Sequence, residues 1–393
     1  MSLFLFIEPL DVLYLRGNRW TGNPGDHGAA QFPPWPSLFA GALRSAMLAR
    51  DQAVRLGLFT DETEENPSKA LAQVIGTPRN PGSFRVTFVA LGRDNGELYV
   101  PLPADLQIFE SSNQQPGESG KKPIVVRRFS MVARESLSEL EFSPCELPLV
   151  PVLAAKEKGK PKGGYYLNRA GFEAYLNGRK VDPEHCIHGS QLFGFETRLG
   201  IARDRRSFTA EEGRIYTSEV VSLRPGVGFV VGVEGCPEEL LPVGSVVRLG
   251  GDGRAGLVRR WTHTLPSVEL GGRFVALAIT PMLSPDGWLP PGLQKEAGEW
   301  LVEGQRAKLV GAVVPRAEVV SGWDLAAHRP KPAQAAVPAG AVYYFEGNPP
   351  TENFFVEKLL AWSETIQSAV EKSVWKQRIA EGFTNFVFGA WPQ

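Results

Sequence analysis

The chain has 393 residues, 43% hydrophobic and 22% charged, an ordinary globular balance. That is long enough for two hydrophobic cores, because single cores stop growing near roughly 250–300 residues. A formal net charge of −1 excludes a global field that draws polyanions, so any nucleic acid must be held by local patches or by surfaces that partners complete.

Cys145, Cys186 and Cys236 are odd in number and far apart, which excludes a disulfide framework and suits a reducing, cytoplasmic setting. Met1–Pro9 carries no basic leader or small-residue cleavage site, and no apolar run approaches the ~20 residues of a membrane span. Neither secretion nor membrane insertion is expected.

Leu3–Glu8 predicts a first strand, apolar on both faces and ended by Pro9. The stretch from Asp11 to Pro34 is irregular and rich in glycine and proline. Ser37 then caps a helix expected through Arg50, with Phe39, Leu43, Ala46 and Met47 on one side. Ser37, Gly41 and Arg44 take the other side, which turns Arg44 away from the core.

Phe84–Leu91 and Leu98–Val100 read as strands joined by a turn at Asp94-Asn95-Gly96, and Ile124–Arg127 reads as a further strand. The lysine-rich stretch 155–164 predicts a linker between an N-terminal domain, 1–160, and a C-terminal domain, 161–393. Asn168 is placed to cap a short helix ending at Gly178. Phe193–Ala202 and Arg214–Leu223 read as a strand pair around a charged loop, and Phe229–Val233, Ser245–Leu249, Ala255–Arg260 and Phe274–Ile279 continue the β pattern. Lys308–Val320, Ala336–Glu346 and one helix over Asn353–Lys372 complete it. Strands separated by single helices, with no alternating βαβ run, predict an α+β fold.

Several short segments then follow in a characteristic order. They are Ile7-Glu8-Pro9-Leu10-Asp11, Leu15-Arg16-Gly17-Asn18-Arg19, Phe32-Pro33-Pro34-Trp35-Pro36-Ser37 and Gly41-Ala42-Leu43-Arg44, followed by Gly164-Tyr165-Tyr166-Leu167 with Gly171–Leu176. Glu196–Ile201, Gly213–Tyr216, Gly250–Arg254, Gly322–Leu325 and Pro338–Tyr343 complete the series. Each piece is short; the specificity lies in their order, which runs almost end to end. In this order the chain resembles the RAMP superfamily and, within it, the handle-binding third subunits of the type III-B CRISPR Cmr complex.

The resemblance implies two ferredoxin-like, RRM-related RAMP domains with long loop and hairpin insertions. It also implies the partners: the 5′ handle of a guide RNA, a large polymerase-like signalling subunit and a repeating backbone RAMP subunit. The glycine-rich loop usual near the C-terminus of the superfamily is reduced here to Gly382 and Gly389, so no phosphate nest is placed there.

Arg16 and Arg19 lie in a glycine-containing loop, and Arg44 follows Gly41 on the first helix. Guanidinium forks beside glycine-freed backbone suit RNA phosphates and splayed bases, while salt bridging or solvation accounts for the same residues without RNA. The resemblance implies RNA contacts at Arg19 and Arg44. Arg198, Arg203, Arg205, Arg206 and Arg214 cluster on the charged hairpin, partly neutralised by Glu196, Asp204, Glu211 and Glu212; a solvated hairpin tip accounts for them without RNA, while the resemblance implies a thumb across the guide. Tyr14, Trp20 and Trp35 are open to base stacking or to core packing.

Enzymatic readings fare less well. Gly250-Gly251-Asp252-Gly253 lacks the second acidic residue of a two-metal site and reads as a β-turn. His185-Cys186-Ile187-His188 lacks the second ligand pair of a structural zinc, and Gly226–Gly232 leads into strand rather than the helix of a dinucleotide fingerprint. His27 beside Asp26 reads first as a satisfied or solvated loop histidine; it is also the one histidine placed to serve a metal-independent RAMP endoribonuclease that processes precursor guide RNA, the alternative to a non-catalytic binding subunit. No cofactor is expected.

Overall fold

Central strands that are apolar on both faces build two antiparallel sheets that bury a common layer between them. The computed structural model describes residues 3–17, 27–51, 69–77, 79–111, 123–137, 147–157, 159–204, 206–207, 209–304, 307–324 and 328–392.

In chain order the elements are β1 (Leu3–Pro9), β2 (His27–Gly28), α1 (Pro36–Arg50), α2 (Lys69–Ile75), β3 (Arg85–Gly92), β4 (Leu98–Pro101), β5 (Leu106–Glu110) and β6 (Ile124–Arg128). Then come β7 (Ser130–Ala133), β8 (Leu149–Val152), β9 (Tyr165–Asn168), α3 (Arg169–Leu176), β10 (Cys186–His188), β11 (Phe193–Arg203), β12 (Ala210–Leu223) and β13 (Gly228–Glu234). They continue with β14 (Val246–Arg248), β15 (Ala255–Arg260), β16 (Arg273–Ala278), β17 (Leu293–Glu296), β18 (Glu299–Val302), β19 (Ala307–Val313) and β20 (Glu318–Val320). The last are β21 (Trp323–Asp324), β22 (Arg329–Pro330), β23 (Gln334–Ala336), β24 (Val342–Gly347), α4 (Phe354–Glu364), α5 (Ala369–Glu381) and β25 (Phe386–Ala390).

The first sheet has eight strands in the order β10-β9-β4-β3-β13-β1-β15-β14, and the second has six in the order β17-β18-β19-β24-β16-β25. β1 is central and buried on both faces, as its sequence requires. Leu5 and Ile7 face α1 together with Phe229, Val231 and Val258. Phe6 turns the other way, into a layer shared with α3 and with Val275, Leu277 and Tyr344 of the second sheet. The far face of the second sheet, including Phe274, Tyr343 and Phe345, is covered by Phe354 and Phe355 of α4.

The fold is thus α+β and dominated by antiparallel sheets. The boundary expected near residue 160 falls inside the first sheet, because β9, β10, β13, β14 and β15 all belong to the same sheet as β1, and the chain enters the second of the two large sheets only after Arg260. Nor is the lysine-rich stretch a free linker. The Lys162 N–H donates to Ile108 O at 2.7 Å and its ammonium meets Glu110 at 2.9 Å, while Glu157 pairs with Arg127, so charge there marks solvent exposure along β5 and β6 rather than a change of domain.

Helix ends differ in physically clear ways. Trp35, not Ser37, is the N-cap of α1, with Pro36 supplying a preset φ at the first helical position. Asn168 caps α3 as expected, accepting from the Gly171 amide at 2.9 Å. The single helix expected over 353–372 is two: α4 stops at Glu364, and Ser368 caps α5 by accepting from the Glu371 amide at 3.3 Å. α5 ends at Gly382, whose φ of 100° and whose approach to Val86 leave no room for a side chain.

Candidate RNA-binding surface

Leu13 and Leu15 are buried, so alternation turns Tyr14 and Arg16 outward. The segment is fixed on three sides. The Leu13 N–H donates to Val221 O at 2.7 Å, the Gln31 N–H donates to Leu15 O at 2.9 Å, and the Gly251 N–H donates to Tyr14 O at 2.8 Å. That last contact explains the glycines of the β14–β15 turn, since a Cβ on Gly250, at φ 86°, would sit 2.8 Å from the Tyr14 carbonyl. Asp252 therefore belongs to a hairpin turn, as its sequence predicts, and Asp11 pairs with Arg254 at the base of that turn.

Arg16 is exposed, with its guanidinium carbon 5.2 Å from the centre of the Tyr14 ring. Together with Gly17 it faces Gly28, Ala29 and Glu219 across a shallow pocket. Glu219, the one carboxylate in the lining among the described residues, accepts from the Ala30 amide at 2.9 Å.

β11 and β12 form a long ribbon, and β2 lies parallel to β12 midway along it, at Thr217 and Ser218. Arg198, Ser218 and Gly28 stand in register across the three strands, so the ribbon and the Arg16 pocket share a wall. Arg198 is exposed and lies 3.7 Å from Glu196. Arg203 and Arg206 are exposed near the tip, where Asp204 accepts from the Ser207 amide at 2.7 Å and the Arg206 amide at 2.8 Å. Those bonds, with a third from the Ser207 hydroxyl, hold the Asp204 carboxyl below the usual range.

Two residues here escaped sequence reasoning. Tyr216 lies across Gly200, whose missing side chain makes space for the ring, and Arg224 donates to Ser190 O at 3.2 Å beside Gly194. In each case the signal was a glycine cross-strand from, or next to, a large polar side chain.

Arg44 is a correction. It does not face away from the core: its Nη2 donates to Phe84 O at 3.1 Å and to Ala380 O at 3.2 Å, and its guanidinium carbon lies 5.4 Å from the centre of the Phe84 ring. Burial pulls its pKa below the usual arginine value, with Glu381 opposing. The reason is that α1 is covered on two sides, by the first sheet and by α5, where a lone amphipathic helix would leave that side to water. Gly41, in contrast, is exposed, and among the described residues a Cβ there would meet nothing within 4 Å.

Trp35 is buried among Leu283, Val320, Ala336 and Phe383, which removes it from the stacking candidates. Arg19, Trp20 and Arg205 lie outside the described residues, as do the side chains of His27 and Arg214. The His185–His188 run is split, because Cys186 enters the core while His188 meets Ser190 Oγ at 2.8 Å. Burial pushes the Cys186 thiol up to about 11. Gly228 and Gly232 are strand glycines: a Cβ on them would meet Ile7 O at 2.7 Å and Phe88 Cβ at 2.9 Å.

A family model, CRISPR-associated protein (Cas_Cmr3), matches residues 5–382. The chain belongs to the Cmr3 family. Among solved structures its fold is similar to a chain in the cryo-EM structure of the type III-B Cmr-beta bound to cognate target RNA, with a TM-score of 0.51 and 15% identity over 98% of this chain and 96% of that one. The same complex with cognate target RNA and AMPPnP, state 1, gives a TM-score of 0.49 at 15% identity, again over 98% and 96%. No curated protein matches the sequence. Membership of the Cmr3 family makes the chain a type III-B effector subunit, and among its described residues no helix is long and apolar enough to cross a membrane.

Proposed function

We propose that this chain is the non-catalytic RNA-binding and assembly subunit that holds the 5′ handle of the guide RNA, docks the large polymerase-like signalling subunit and meets the repeating backbone subunit in antiviral defence. The observation that carries the reading is the outward pairing of Arg16 with Tyr14 beside glycine-walled backbone, in a chain matching the Cmr3 family from residue 5 to 382. A guanidinium supplies charge-assisted donors to phosphate, the half-buried Tyr14 ring offers an edge or face to an unpaired base, and glycines let the strand approach closely.

Arg198, Arg203 and Arg206 extend that surface along the ribbon, and Arg19 and Arg205 belong to the same proposal. Gly41 marks a second close approach on α1. Arg44 serves from behind by clamping α1 to α5. The two sheets, each covered by helix on its outer face, are read as elaborated ferredoxin-like units.

A binding role suits the pocket chemistry, since Glu219, the carboxylate among its described residues, is engaged by a backbone amide. The test is titration of labelled handle RNA with the isolated chain, the isolated large subunit and their mixture at one salt concentration. A chain with only local basic patches binds weakly alone, and the mixture binds at least tenfold more tightly because the two surfaces share one short ligand. Equal affinity of chain and mixture overturns the reading, as does cleavage of precursor guide RNA by the isolated chain.

A further inference from the structure

The Arg16 pocket has a donor side and an acceptor side. The Arg16 guanidinium carries only N–H donors and the Glu219 carboxylate only acceptors, and both residues line the pocket. Backbone pairing fixes where one stands relative to the other. Arg16 and Ala30 are bridged as an antiparallel pair, the Gln31 N–H donates to Leu15 O at 2.9 Å, and the Ala30 N–H donates to Glu219 Oε2 at 2.9 Å. The carboxylate is therefore tied to the very segment that pairs with the arginine it faces. That bond uses one of its several acceptor positions and leaves the others for a ligand.

A phosphodiester offers acceptors alone. It satisfies Arg16, but beside Glu219 it meets like charge and finds no donor. A carboxylate in this lining instead calls for a ligand group that donates, and the Watson–Crick edge of an unpaired base does so. Cytosine and adenine set an amino group beside a ring-nitrogen acceptor, and guanine sets an amino group and a ring N–H beside its carbonyl. Uracil sets one N–H between two carbonyls, whose lone pairs would face those of the carboxylate.

We propose that Glu219 is a specificity-determining residue of this surface: its carboxylate accepts from the amino group of one unpaired base of the guide handle while Arg16 holds the adjoining phosphate. The pocket then selects an amino-bearing base over uracil. The inference rests on the reading of the pocket as part of the handle-binding surface and adds to it a chemical class of base. A base without the amino group loses more than one contact, because it brings an acceptor against an acceptor or leaves the carboxylate desolvated and unmatched.

The test loads the assembled type III-B complex with guide RNAs altered at one handle position at a time, uridine replacing cytidine and inosine replacing adenosine or guanosine. Each change removes an amino group with little change of shape. In the wild type, one position is expected to lose about tenfold or more in affinity. Glu219→Gln adds a readout that a structural role would not move. Its amide oxygen takes over the Ala30 N–H, which turns the amide NH2 toward the base, so the preference at that one position falls to within about twofold or reverses. The isolated variant keeps its melting temperature, because the bond from Ala30 survives.

Three results overturn the inference: no discriminating position in the wild type, a preference that the variant leaves intact, or a change in affinity that is equal at every position and so reports only the loss of one negative charge. A variant that melts early overturns it as well, since the fold rather than RNA would then need the carboxylate. If the wild-type complex loads the natural handle no better than an unrelated RNA of the same length, the parent reading fails instead, and that is visible before any nucleotide is altered.

Discussion

Tyr344 of β24 donates its hydroxyl to Asp105 Oδ2 at 2.6 Å, joining the second sheet to the turn that follows β4 of the first. The same carboxylate, wholly buried, accepts from Tyr175 of α3 at 3.0 Å and from Arg128 Nε of β6 at 2.8 Å. Arg128 lies over the Tyr175 ring, its guanidinium carbon 4.3 Å from the centre. Burial and the neighbouring carboxylate raise both tyrosine pKa values, which keeps the hydroxyls protonated as donors.

Asp105→Ala therefore strands a buried guanidinium and two hydroxyls. The expected loss is about 3–5 kcal/mol, as for other broken buried ion pairs, against about 1 kcal/mol for Tyr344→Phe, which removes one hydrogen bond. Guanidinium unfolding of the isolated variants checks both values; equal losses would mean that Asp105 is not the centre of the cluster.

A second buried carboxylate gives a pH dependence. Burial works against the Glu381 carboxylate, but Lys331, Arg378 and Arg44 outweigh it and hold its pKa below the usual value. A depressed folded-state pKa stabilises fully above the unfolded value, near roughly 4.3, and that stability is lost as pH falls through the folded value. Melting temperature should thus fall more steeply with acidification below about pH 4.3 in wild type than in Glu381→Gln, which lacks the titrating group. Parallel pH profiles would refute the assignment.

Among the described residues nothing gives Gly41 a steric reason to be glycine, and mid-helix glycine costs roughly 0.5–1 kcal/mol relative to alanine. Gly41→Ala should raise the melting temperature of the isolated chain. Gly41→Gln should weaken guide loading of the assembled complex while leaving the isolated chain folded, because the longer side chain blocks the close approach. Loading unchanged by glutamine would remove Gly41 from the contact surface.

Arg16 and Arg44 should separate cleanly. Arg16→Ala is expected to reduce the salt dependence of RNA binding by the assembled complex by about one unit of slope, with unfolding unaffected. Arg44→Ala should instead destabilise the chain by roughly 1–3 kcal/mol, since Phe84 O and Ala380 O lose their shared donor, and leave the salt slope unchanged. Salt titrations with matched denaturation curves distinguish the two roles.

Most strands were legible from the sequence because alternation and turn residues are local signals. Leu3–Glu8, the Asp94–Gly96 turn, the Asn168 cap, the β11–β12 ribbon and the Gly250–Gly253 hairpin all emerge where residues within a few positions of one another dictate them. The α+β class follows from the same signals. What tertiary structure decided is whatever depends on distant partners. The passage into the second large sheet after Arg260 is set by β13 and β15 returning to pair with β1, a pairing that the lysine-rich stretch neither causes nor marks. β25 went unread because Phe386–Ala390 becomes a strand only on meeting β16. Arg44 shows the same cause at the level of one side chain: helical periodicity places it opposite Phe39 and Leu43, but α5, more than 300 residues away, turns that side of the helix from solvent into an interface.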